Sequence, residues 1–152
     1  MHYPKLVFLL VALAACSSDD TSPPPSPASS ENTRTTTIGP EGGTIVVGGA
    51  TVTFPKDAVP SPVAITISKE ATGFPDGFET LSPLFKCEPS GTNFGKPVTM
   101  QMPFVDDGKG PSTIFWSSAA DPTFKDVGGT VQGATMITTV EHFSMGFVGR
   151  RK

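Results

Sequence analysis

Between Ile38 and Val148 the chain alternates short apolar–polar runs with clusters of Gly, Pro, Ser and Asp. Val63-Ala64-Ile65-Thr66-Ile67-Ser68 has a period of two, which puts Val63, Ile65 and Ile67 on one face of a strand. Val98-Thr99-Met100-Gln101-Met102 repeats that pattern. Thr44–Val47 and Ala50–Phe54 are joined by Gly48-Gly49, a hairpin signal, because only glycine enters the left-handed turn without steric cost. Further strands are expected at Leu84–Glu88, Thr113–Ser117, Ala134–Val140 and Ser144–Val148. No run of a dozen residues has helical spacing. A single helical turn is expected over Lys56–Val59, stopped by Pro60. Gly42-Gly43-Thr44 with Gly49-Ala50-Thr51 is echoed by Gly128-Gly129-Thr130 with Gly133-Ala134-Thr135, and both read as glycine-turned hairpins rather than a duplication. Strands this short at this spacing predict an all-β fold, an antiparallel β-sandwich.

The N-terminus breaks the pattern. Lys5 precedes an unbroken apolar run from Leu6 to Ala15, about ten residues and too short for a bilayer core of roughly 30 Å. Leu13-Ala14-Ala15-Cys16 resembles the lipobox of bacterial lipoproteins at every position. That resemblance implies a signal peptide over 1–15, cleavage before Cys16, and lipid on the Cys16 thiol as the membrane anchor. Acyl chains contribute about 0.8 kcal/mol per buried CH₂, so several together hold durably. Ser17 stands where an Asp would retain an enterobacterial lipoprotein at the inner membrane, so the outer membrane is favoured. Residues 16–37 hold Ser22-Pro23-Pro24-Pro25-Ser26-Pro27 and little to bury. They read as a disordered Pro/Ser/Thr stalk, reaching at most roughly 60 Å at about 3 Å per residue. The folded domain is expected over 38–150.

Composition narrows the function. A net charge of -3 supplies no basic footprint, so nucleic acid is not an expected partner. Of the aromatic residues eleven are Phe, with one Trp and one Tyr, and the Tyr is Tyr3 in the signal. Phe lacks the polar handle that recognition surfaces use, so most rings are assigned to the core. With Cys16 taken by lipid, Cys87 has no partner in the chain and is expected as a buried, unpaired thiol whose face is shared by Phe85 and Pro89.

Three segments, in order, carry a family resemblance. They are Gly42-Gly43-Thr44 leading to Val52-Thr53-Phe54-Pro55-Lys56-Asp57-Ala58-Val59; Leu81-Ser82-Pro83-Leu84-Phe85-Lys86-Cys87-Glu88-Pro89-Ser90-Gly91; and Phe94-Gly95-Lys96-Pro97-Val98-Thr99-Met100-Gln101-Met102-Pro103. Together they resemble the ZU-five domain, named for zonula occludens proteins and netrin receptors and carried by ankyrins too. The resemblance spans about Ile38 to Val148. It implies a β-sandwich used for protein–protein contact or intramolecular packing, with no general enzyme activity, and it names no ligand; no cofactor is expected.

The sharpest chemical motif is His142-Phe143-Ser144. Some ZU-five proteins with a death domain cleave themselves at this tripeptide. By that resemblance Ser144 Oγ would attack the Phe143 carbonyl while His142 assists the proton transfer, and water would open the ester. The chemistry also needs a strained peptide. Against it stands a plain strand, with Phe143, Met145 and Phe147 alternating into the core and His142 and Ser144 on the opposite face. His142 is the only His after the signal, so a multi-His metal site is excluded and no metal is expected. Asp106-Asp107-Gly108 lacks the ligand spacing of a calcium loop and reads as a turn. Gly39-Pro40-Glu41-Gly42-Gly43 lacks the Gly-Lys-Ser/Thr of a phosphate loop. The sequence thus predicts a lipid-anchored envelope protein whose non-enzymatic domain binds an unknown envelope protein or serves as an envelope scaffold. The alternatives are an autoproteolytic module cut between Phe143 and Ser144 and a carbohydrate-binding module built on Trp116.

Overall fold

The computed structural model describes residues 29–152. The expected signal peptide, Cys16 and the stalk as far as residue 28 lie outside the described residues. The strands are β1 (Ser29–Ser30), β2 (Thr33–Ile38), β3 (Gly43–Val47), β4 (Ala50–Phe54), β5 (Val63–Glu70), β6 (Phe78–Thr80) and β7 (Leu84–Glu88). They continue as β8 (Asn93–Pro103), β9 (Thr113–Trp116), β10 (Lys125–Gly128), β11 (Thr130–Gln132), β12 (Thr135–His142) and β13 (Met145–Arg151). Two antiparallel sheets form a sandwich. The larger runs β1-β2-β5-β7-β13-β9-β10, with β6 also paired to β13, and the smaller runs β11-β12-β8-β4-β3.

Period-two patterning builds the space between the sheets. The smaller sheet buries Ile45, Val52, Phe54, Val98, Met100, Met102, Met136 and Val140; the larger one sends in Ile65, Ile67, Phe85, Cys87, Ile114, Trp116 and Val148. The hairpins read from the glycines are present. Val47 pairs with Ala50 around Gly48-Gly49, and Gln132 pairs with Thr135 around Gly133-Ala134.

Three expectations change. The boundary at Ile38 falls inside the fold, because β2 begins at Thr33 and pairs with β5 from Thr33↔Ser68 to Ile38↔Val63. Its Thr-rich sequence buries only Ile38 fully, so it carried no hydrophobic signal. Residues 29–37 are therefore strand and turn rather than stalk. Lys56–Val59 is a turn, not a helical one: Ala58 N–H donates to the Pro55 carbonyl at 3.1 Å, and Asp57 sits at φ 63°. At Gly128-Gly129, before the second hairpin, the chain crosses from β10 in the larger sheet to β11 in the smaller one.

The last correction concerns the final strand. Phe143 is buried between the sheets, whereas Phe147 and Met145 pack on the outer face of the larger sheet. Phe143 and Ser144 lie in the connection between β12 and β13, so alternation does not carry through them. On β13 the inward positions are Gly146 and Val148, and Gly146 leaves the room that the Trp116 ring fills.

Candidate functional site

Trp116, at the end of β9, and His142, at the end of β12, meet near an open margin of the sandwich, where the larger sheet ends in β10. The Trp116 indole N–H donates to the His142 carbonyl at 3.3 Å. Two cavities flank this pair. One, about 160 Å³, is lined by Trp116, Ser117, Asp121, Thr123, Lys125 and His142 among others. The other, about 340 Å³, is bounded by Asn93, Trp116, Val127, Thr139, Val140, Glu141 and His142. Trp116 is only 3% exposed, so its ring presents no open face for a sugar to stack on. His142 Nδ1 is shielded from solvent and has no hydrogen-bond partner among the described residues.

The connection Phe143-Ser144 is held on every side. Phe143 N–H donates to the Thr92 carbonyl at 2.9 Å, and the Phe143 carbonyl accepts from Gly91 N–H at 2.8 Å. The Ser144 carbonyl accepts from Cys87 N–H at 2.7 Å. Ser144 is buried, and its Oγ lies 2.9 Å from Ser117 Oγ, which itself donates to the Met145 carbonyl at 3.2 Å. The Ser144 hydroxyl therefore donates into a chain that ends on a carbonyl, and a carbonyl accepts no proton. Its hydrogen-bond partner is Ser117, not His142. The Phe143–Ser144 stretch carries no left-handed residue; among non-glycine residues of the described chain only Asp57 has a positive φ. Nucleophile and carbonyl are thus adjacent, and Gly91 N–H already faces the oxygen, while a second hydroxyl, Ser117, rather than a base is the hydrogen-bond partner of Ser144 Oγ.

The other residues singled out in the sequence are accounted for locally. Cys87 is buried and unpaired, beside Phe85, and burial in apolar surroundings pushes its thiol pKa strongly upward. Asp106 and Asp107 form a turn by accepting from Gly108 N–H at 3.0 Å and Lys109 N–H at 3.2 Å. Asp107 is ion-paired with Arg150, whose hydrogen bond holds its pKa below the usual carboxylate range. Among the described residues no group of three His, Cys, Asp or Glu is placed to hold a metal ion. Asp121 at the smaller cavity is held at about 2, first by the Thr123 hydroxyl and then by Lys125. Sequence reasoning missed Ser117 and Asp121, whose roles depend on which strands the topology brings together.

The sheet order, the antiparallel pairing and the absence of helix define the described chain as a β-sandwich domain. Residues 34–114, more than half of the chain, match the family model of the ZU5 domain, and the chain belongs to that family. ZU5 domains are β-sandwich protein-interaction modules. The match stops within β9, so Trp116, His142 and Ser144 lie beyond it. A comparison with curated proteins finds no match.

Proposed function

We propose that this protein is a lipid-anchored envelope protein whose ZU5 domain binds another protein and performs no turnover. Membership of the ZU5 family is the observation that carries the binding role. The anchor rests on Leu13-Ala14-Ala15-Cys16 after a short apolar run, and Ser17 favours the outer membrane. Metabolic labelling with palmitate in the host bacterium tests the anchor: the wild type takes label and Cys16→Ser takes none. Equal labelling of both removes the anchor. Cross-linking of the full chain in intact envelopes tests the binding role, and recovery of the protein free of any cross-linked partner removes it.

Self-cleavage is the second reading, favoured by the Gly91 N–H already bonded to the Phe143 carbonyl. The Ser117 hydroxyl in place of a base argues for an intact chain. A fragment from Ser144 to Lys152 would stay in place as β13, so only denaturing mass measurement exposes a cut. We expect one intact mass for wild type and Ser144→Ala alike. A fragment starting at Ser144 in the wild type alone would establish the second reading.

A further inference from the structure

At the end of the sandwich where β3 turns into β4, two cavities adjoin. The first, about 420 Å³, is lined by Glu31, Arg34, Val46 and Lys69 among others. The second, about 330 Å³, is lined by Leu81, Pro83, Pro103, Phe104 and Val105. Lys69 and the Gly48-Gly49 turn border both.

Register puts two cations on the inner side of the larger sheet. Arg34 pairs with Ile67, a core residue, and so shares its side. Lys69 lies two residues beyond Ile67 and pairs with the buried Phe85, which gives it the same side. Arg34 and Lys69 are therefore diagonal neighbours across β2 and β5, a spacing that long side chains bridge. The facing sheet ends here in the Gly48-Gly49 turn, so these two line a cavity where Ile65 and Ile67 fill a core. Neither cation makes an ion pair among the described residues, whereas Lys86, Lys96, Lys109, Lys125 and Arg150 all do.

The ridge between the cavities is bare backbone and the Lys69 stem. Gly48 and Gly49 have φ of 56° and 87°. A Cβ on Gly48 would lie 2.5 Å from Lys69 Cδ, so the missing side chain lets that stem lie against the turn. The apolar recess beyond is fixed by the backbone. Phe104 N–H donates to the Ala134 carbonyl at 3.0 Å, and Val105 N–H donates to the Leu81 carbonyl at 2.9 Å. A recess held this way is formed before a ligand arrives. Val105 stands at it 74% exposed.

The two cavities together select the occupant. A small free anion would satisfy the cations and leave the recess empty, and an apolar ligand would do the reverse. An acidic segment with apolar residues just after it fills both. We propose that this end of the sandwich binds an extended acidic–apolar peptide segment of a partner protein, with its carboxylates on Arg34 and Lys69 and its apolar side chains on Leu81, Pro83 and Val105. The segment crosses the Gly48-Gly49 turn, where no side chain obstructs it. Glu31 lines the first cavity and repels such a ligand, so its removal strengthens binding. The proposal rests on the reading of the domain as a protein-binding module and names the surface and the ligand chemistry.

The probe is a capped Glu-Glu-Ser-Leu-Phe peptide, titrated calorimetrically into the full-length protein in zwitterionic detergent micelles, with empty micelles as the blank. Binding should saturate and weaken with added salt. Arg34→Gln and Lys69→Met remove charge and keep most of each stem, and each should lower affinity about tenfold. Val105→Ser should lower it about threefold, and Glu31→Gln should raise it about threefold. Two control peptides test the same contacts on the wild-type protein, whatever the variants' folding. Gln-Gln-Ser-Leu-Phe and Glu-Glu-Ser-Ser-Ser should each bind about tenfold more weakly. Arg34→Glu combined with Lys69→Glu should accept Lys-Lys-Ser-Leu-Phe instead. Affinity unchanged by both charge-removing variants, or equal for the Gln-Gln peptide, would overturn the proposal. So would saturable binding of phosphatidylglycerol to these side chains in place of the peptide, which would make the occupant a lipid headgroup. No peptide binding in a protein that still cross-links to an envelope partner would overturn this surface and leave the interaction role standing.

Discussion

The two faces of the larger sheet are both apolar but are built differently. The inner face packs against a second sheet and is made mainly of aliphatic side chains, with Ile65, Ile67 and Ile114 fully buried. The outer face is covered by loops and a short strand and is made of rings: Phe74, Phe78, Phe115, Phe124 and Phe147, with Leu84 and Met145. Phe78 meets Phe115, Phe124 and Phe147 edge-on at 4.7–6.3 Å between centroids. Arg151 caps Phe78 and Phe115 at 5.2 and 5.6 Å. A facing sheet supplies many contacts per strand, so branched aliphatics interdigitate. A loop supplies few residues, and each must cover more area, which a phenyl ring does. The outer cluster remains half-open at Phe74, Phe78 and Phe124, and the inner one is closed.

Substitution should separate the two faces by size. Phe143 sits between the sheets against Phe54 and Phe94 with no exposure, so Phe143→Ala should cost about 3–5 kcal/mol in denaturant unfolding. Gly146 lies where a Cβ would run into the Trp116 ring and the Phe115 carbonyl. Gly146→Ala should therefore cost about 1–3 kcal/mol by overpacking. Phe78→Ala, on the half-open outer face, should cost about 1–2 kcal/mol. An equal loss for Phe143→Ala and Phe78→Ala would remove the distinction between the faces.

Two pH measurements sharpen the contrast between closed interior and open rim. Burial raises the Cys87 thiol above its ordinary value of 9.0, so above that pH the unfolded chain releases a proton that the folded one keeps. Its contribution to stability is full below pH 9 and declines as the pH rises. Cys87→Ala should flatten that decline, read from unfolding midpoints in alkaline buffers. Asp121, on the rim, is lowered from 3.8 to about 2 by the Thr123 hydroxyl first and by Lys125. Its contribution is present above 3.8 and is lost as the pH falls towards 2. The difference in Tm between wild type and Asp121→Asn should shrink across that window, and this effect is the smallest of the set because the pair is exposed.

The sequence by itself determined the sandwich class, both two-residue hairpins, the buried Cys87 and the strands whose inward side chains alternate, such as β5 and the second half of β8. Those features are local: a period of two and a glycine in a left-handed turn need no distant partner to be specified. Tertiary structure alone decided where pattern is weak or doubled. β2 is Thr-rich and held by its ladder with β5, so its hydrogen bonds, not its hydropathy, make it a strand. β13 lies in a sheet with two apolar faces, so Phe147 and Val148 are both buried and alternation cannot say which points inward. The Ser117–Ser144 contact arises because segments distant in sequence end side by side in space, and only the sheet order places them there.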